Sequence, residues 1–340
     1  MHRILVGFIV SMLFMPGVQA GEGVAPVTGR PVHTYSIVAR DPHSGQLGVA
    51  VQSHWFSVGS LVPWARAGVG AIATQSFIEV RYGESGLDLM ASGLSATRTL
   101  DALLAADANP GVRQVAMIDA GGEVAVHTGE NCIEYAGHLT GNDFSVQSNL
   151  MISPGVQQAM ADAFQQATGT LAERMLAALE AAQAVGGDLR GKQSAAILVV
   201  DGTAGSRPRD GRLVDLHVED SPQPLVELRR LLRLHTAYAH MNQGDHALES
   251  GDVDAALYEY GQAEGLQPDN LEMKFWHAVS LVNAGRVDAA MPVFAGIFRD
   301  DARWRTLVQR LVQAGLLDAD AAVLARINTA GVKQEGRIND

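Results

Sequence analysis

Cysteine, lysine and aromatic residues are all scarce in this 340-residue chain, and each scarcity excludes something. Cys132 is the only cysteine, so no internal disulfide can form and the fold must rest on its apolar core. A lone thiol in such a chain reads as a small buried hydrophobe before it reads as a nucleophile. Lysine occurs three times, at Lys192, Lys274 and Lys333, and the formal net charge is −12. That balance excludes the basic surface that nucleic acid or an anionic lipid surface requires. Apolar runs long enough to span a bilayer, about 20 residues, are absent, so no stable membrane insertion is expected. His235, His240 and His246 do not form a zinc-protease motif, and residues 202–205 lack the lysine of a phosphate loop. No metal or cofactor is implied.

What is present is ordinary for a packed protein: 47% hydrophobic and 18% charged residues, at a length suited to two domains. Residues 1–20 read as a signal peptide. Arg3 gives a basic start, residues 4–14 are apolar, Pro16 and Gly17 break the run, and Val18-Gln19-Ala20 supplies small residues for cleavage. Export to a periplasmic or secreted location is therefore expected. Residues 21–33 have turn-rich composition and read as a leader.

From residue 34 onwards the pattern is regular. Strands are expected at 34–39 and 46–53 around the Asp41-Pro-His-Ser-Gly45 turn, then at 68–75, 114–118 and 123–128. Helices suit residues 85–91, 96–106, 154–166 and 171–185, and strands return at 194–200 and 213–218. This order predicts an α+β domain over 34–222, with helices packed on antiparallel sheets. The character changes near Ser221-Pro-Gln-Pro224, and 223–330 reads as helix throughout. Gly251, Ala256 and Tyr260 recur 34 residues later as Gly285, Ala290 and Phe294, the period of a tetratricopeptide repeat. Such repeats form concave surfaces for a protein or peptide partner, and a homo-oligomer is equally open.

The stretch Thr34-Tyr-Ser-Ile-Val-Ala-Arg-Asp-Pro, with Leu47-Gly-Val-Ala-Val-Gln-Ser53, His54-Trp-Phe-Ser-Val-Gly59 and Gly186-Gly-Asp-Leu-Arg-Gly-Lys-Gln-Ser-Ala195, resembles a known family. It is the bacterial domain-of-unknown-function family 1028, grouped with the Ntn (N-terminal nucleophile) hydrolases. The resemblance covers roughly residues 34–235. It implies a four-layer αββα sandwich, and Thr34 as a nucleophile whose own α-amine is the base. Hydrolysis of a C–N bond in a small amide or peptide would follow.

Lys192, the one lysine before residue 274, would lower the pKa of that amine if placed beside it. Arg66, Arg190 and Lys192 are candidates for holding an anionic substrate, and Asp188 is a further substrate-binding candidate. His54, Glu79, Arg81, Tyr82 and Ser194 are further substrate-binding candidates on the resemblance, and Ser36 shares the face of Thr34. The mechanism needs a second cut, at His33–Thr34, because a peptide nitrogen is no base. Without that cut the chain reads instead as a non-catalytic scaffold that binds partners through its repeats.

Overall fold

The computed structural model describes Val32, residues 34–205 and residues 211–331. The signal peptide, and all of the leader except Val32, lie outside the described residues.

Among the described residues, ten strands build two antiparallel sheets. In chain order they are β1 (Thr34–Arg40), β2 (Leu47–Ser53), β3 (Pro63–Arg66), β4 (Gly70–Ser76) and β5 (Arg113–Asp119), followed by β6 (Val124–Thr128), β7 (Gly137–Gly141), β8 (Phe144–Ser148), β9 (Ser194–Val200) and β10 (Arg212–Val218). One sheet has the order β10-β9-β2-β1-β8-β7 and the other β3-β4-β5-β6. The two stack face to face around Val38, Val49, Val51, Ala71, Ala73, Ala116 and Ile118. Alternation along each strand sends the intervening residues outward to helices. Tyr35, Ile37 and Ala39 meet α3 (Val156–Gln166) and α4 (Leu171–Ala184). Ile72, Val115 and Met117 meet α1 (Arg81–Ala91) and α2 (Ala96–Ala105). The result is the αββα layering that the sequence resemblance implied. Helix α4 starts on a capping box, in which the Thr170 hydroxyl accepts from Glu173 N–H and the Glu173 carboxylate accepts from Thr170 N–H.

Among the described residues six helices follow: α5 (Pro224–Glu249), α6 (Val253–Leu266), α7 (Leu271–Asn283), α8 (Val287–Asp300), α9 (Trp304–Gln313) and α10 (Ala321–Thr329). The repeating residues explain their pairing. Gly251 and Gly285 precede α6 and α8 with φ of +80° and +73°, a left-handed turn that glycine enters without strain. Ala256 and Ala290 are fully buried, which lets neighbouring helices approach closely. Tyr260 and Phe294 then fill equivalent core positions. Among the described residues no helix is long and apolar enough to cross a membrane.

Candidate functional site

Thr34 opens β1 on the face that looks into the space between the sheets, and it is fully buried. Its neighbour in register on β2 is Ser53, and the neighbour of Ser53 on β9 is Ser194. Three hydroxyl residues thus stand in a row across one end of the six-stranded sheet. The Ser194 hydroxyl donates to the Trp55 carbonyl and accepts from Val58 N–H at 3.1 Å, which ties down residues 55–58. The Thr34 hydroxyl donates to the Val32 carbonyl at 3.0 Å. Val32 in turn is bridged to Ser76, the last residue of β4, by a pair of backbone hydrogen bonds of 2.7 and 3.0 Å. The chain entering β1 therefore joins one sheet to the other directly beside Thr34.

Behind Thr34 lies a polar network closed off from solvent. Ser36 donates to Gln75 Oε1 at 2.7 Å and accepts from Gln147 Nε2 at 2.6 Å. Gln75 Nε2 donates to Gln114 Oε1 at 2.6 Å, and Asn149 Nδ2 donates to the same oxygen at 2.9 Å. Gln114 Nε2 reaches the Ser148 carbonyl at 2.9 Å, while Asn149 N–H donates to the Thr34 carbonyl at 3.1 Å. All of these residues are fully buried. Such a network specifies one arrangement, because each broken link strands a partner in a dry interior. It fixes the backbone of Thr34 from both sheets. Its sequence signal is weak: Gln114 and Gln147 belong to no motif, and polar alternation in a strand normally marks a solvent face.

A second cluster occupies the same end of β1 on its outer face. The Asp188 side chain is fully buried, receives Arg190 through two guanidinium nitrogens at 2.7 and 3.1 Å, and accepts from His54 N–H at 3.2 Å. Tyr35 donates to Gln52 and to Gln183 here, and burial, helped by the charge of Asp188, pushes its hydroxyl well above the usual tyrosine range. Asp188, Arg190 and His54 are thus brought together. Their geometry holds the 186–194 loop against the sheet. Lys192 in that loop is exposed, and its side chain has no hydrogen bond or ion pair among the described residues.

The remaining candidates lie elsewhere. Arg66 pairs with Asp88 at 2.8 Å at the turn of the β3–β4 hairpin. Gly70, its partner in register, stands six residues before Ser76, or about 20 Å along β4 at the usual rise per residue. Arg66 therefore stands apart from Thr34, at the far end of β4. Glu79, Arg81 and Tyr82 line a small cavity of about 80 Å³ at the outer side of the four-stranded sheet, together with Asp107. Glu79 and Arg81 pair at 3.0 Å, and the Tyr82 hydroxyl donates to Asp107 at 3.0 Å. Burial alone would raise the Asp107 carboxyl, but Arg113 at 2.7 Å and the N–H of Asn109 outweigh it and hold the carboxyl below its usual range. These residues form a group separate from Thr34. Cys132 is half-buried and donates to the Arg113 carbonyl at 3.4 Å, and burial raises its thiol.

Comparison with known proteins gives two family matches. The model of a family of unknown function (DUF1028) matches residues 34–228, and a tetratricopeptide repeat model matches residues 247–314. Among solved structures, the protein SPO2555 from Silicibacter pomeroyi, described with the family-model DUF1028, is 29% identical. The likeness covers 60% of this chain and 89% of that one, with a TM-score of 0.54. No curated protein matches.

Proposed function

This chain belongs to the family of unknown function DUF1028, and from that premise we propose that it is an exported Ntn-type hydrolase of a C–N bond, amide or peptide-like, with Thr34 as nucleophile. The observation that carries the reading is the placement of Thr34. It is the first residue of a central strand, lies between two sheets, and its carbonyl accepts from Asn149 and Gln75, both members of the buried amide network. Once the His33–Thr34 bond is cut, the free α-amine takes the hydroxyl proton as Oγ attacks the substrate carbonyl, and returns it to the leaving amine. Water then resolves the acyl ester. The signal-like residues 1–20 support export, and the repeat helices support a protein or peptide partner.

A specific observation also favours a second reading. Val32 is pinned to Ser76 and accepts from Thr34, so in the uncut chain the nucleophile is covered and its nitrogen is a peptide amide. In that state the protein is a non-catalytic scaffold. The intact mass and N-terminal sequence of the protein recovered from its exported compartment separate the two. A chain beginning at Thr34, with amide turnover that Thr34→Ala abolishes, upholds the hydrolase. A chain that retains residues before Thr34 sinks it.

A further inference from the structure

Val32 is only 3% exposed and belongs to the apolar cluster between the sheets. Its backbone is read on both sides. The carbonyl accepts from the Thr34 hydroxyl at 3.0 Å and from Ser76 N–H at 3.0 Å, and the N–H donates to the Ser76 carbonyl at 2.7 Å. Ser76 adopts φ +67°, a conformation that costs a non-glycine residue energy and persists only where its surroundings demand it. Its buried hydroxyl lies beside the Cys132 thiol. The Val32 carbonyl thus lies next to the Thr34 hydroxyl with a fixed backbone donor, Ser76 N–H, already on its oxygen, which is what a carbonyl under attack by Thr34 would need once the hydroxyl proton turns to the base.

Resting on the hydrolase reading above, we propose that Val32 occupies the acyl site and that the substrate is an extended peptide or N-acylated amino amide. The residue that contributes the scissile carbonyl carries a branched aliphatic side chain of valine size. It binds as a one-residue β-bridge to Ser76: its N–H meets the Ser76 carbonyl, its carbonyl meets Ser76 N–H, and its side chain enters the apolar cluster. Attack forms the Thr34 Oγ–acyl bond while the negative charge on the carbonyl oxygen rests on Ser76 N–H. The C–N bond then breaks, and the amine leaves with the proton that the Thr34 α-amine took from the hydroxyl. Water adds to the ester, giving the free acid and regenerating Thr34. Simple primary amides, which lack the second backbone contact and the side chain, are poor substrates.

The test uses the full chain and reads binding. Val32→Asp puts an unpaired carboxylate in the slot, which expels the leader because an uncompensated buried charge is costly. The probe is Ac-Arg-Pro-Val-His-NH2, the chain's own residues 30–33, titrated calorimetrically against Ac-Arg-Pro-Asp-His-NH2. The valine peptide is expected to bind Val32→Asp about tenfold or more tighter than the unsubstituted chain, where the tethered leader competes. The aspartate peptide is expected not to bind. Equal binding to the two proteins, equal binding of the two peptides, or no binding overturns the proposal. If Val32→Asp does not melt cooperatively, Val32→Gly serves in its place. Selective binding without cleavage by a chain that begins at Thr34 upholds the slot and removes the hydrolase reading, so the two failures are distinguishable.

Discussion

At the scale of single residues, Thr34 and Ser36 sit two apart on one face of one strand, yet they do different work. Among the described residues the Thr34 hydroxyl donates to the Val32 carbonyl alone, whereas Ser36 joins Gln75 to Gln147 in the dry interior. Thr34→Ala should therefore cost about 1 kcal/mol, the net worth of one hydrogen bond, while abolishing any turnover. Ser36→Ala strands an amide oxygen and an amide N–H and should cost about 2–4 kcal/mol. Denaturant melts of the two variants check this, and a Thr34→Ala loss as large as that of Ser36→Ala would make Thr34 a structural residue. Asp107 gives a separate prediction. Its folded-state pKa lies below the ordinary value of about 3.9, so the stability it contributes is present above that pH and is lost as pH falls through the lowered folded value. Asp107→Ala, which leaves Arg113 without its carboxylate, should cost about 3 kcal/mol at neutral pH. The difference from the unsubstituted chain should shrink in acid; a gap that stays constant down to pH 2 would show that the pair contributes nothing through charge.

At the scale of elements, the strands with apolar runs were legible and those without were not. β1, β2, β4, β5, β6, β9 and β10 follow from alternation and turn chemistry, and the four sandwich helices from their amphipathic spacing. β8 is buried on both faces and carries Ser145 and Gln147 on the one turned to the other sheet, so its pattern resembles a solvent-facing edge even though it pairs with β1 in the centre of the site. β7 begins and ends in glycine and is half exposed, and β3 is only four residues long. The amide network was invisible for the same reason: burial of a polar face is decided by the opposite sheet, not by the strand that bears it. Packing of α1 illustrates the point from the apolar side. Gly83 lies against the Trp64 indole of β3, and a Cβ there would run into the ring, so helix and strand meet at a contact that neither segment announces alone. Gly83→Ala should gain helix propensity yet lose about 1–3 kcal/mol through overpacking. A melting temperature at or above that of the unsubstituted chain would show that α1 can slide to accommodate the methyl group.

At the scale of the whole chain, the question is whether the sandwich and the repeat helices are separable. Sequence composition places a boundary at 222/223, and the family match runs on to residue 228. The packing explains the overrun, because Leu225, Leu228 and Leu232 of α5 belong to the same apolar cluster as Ile197, Met175 and Leu179. The second half of the helix instead gives Ala237 and Met241 to the cluster formed with Ala256, Tyr260 and Met273. One helix of 26 residues thus carries core side chains of both parts, and a cut at its start removes some from the sandwich. Burial of each leucine is worth about 2 kcal/mol, so losing three costs about 6 kcal/mol, comparable to the whole net stability of an ordinary domain. A chain ending at residue 222 should be insoluble or melt without cooperativity. One ending at residue 250, which keeps α5, should retain a cooperative transition of the sandwich, with Ala237 and Met241 newly exposed. Circular dichroism melts of the two truncations decide it: equal behaviour at 222 and 250 would mean that the leucines of α5 are not part of the sandwich core and that the repeat helices are an independent attachment.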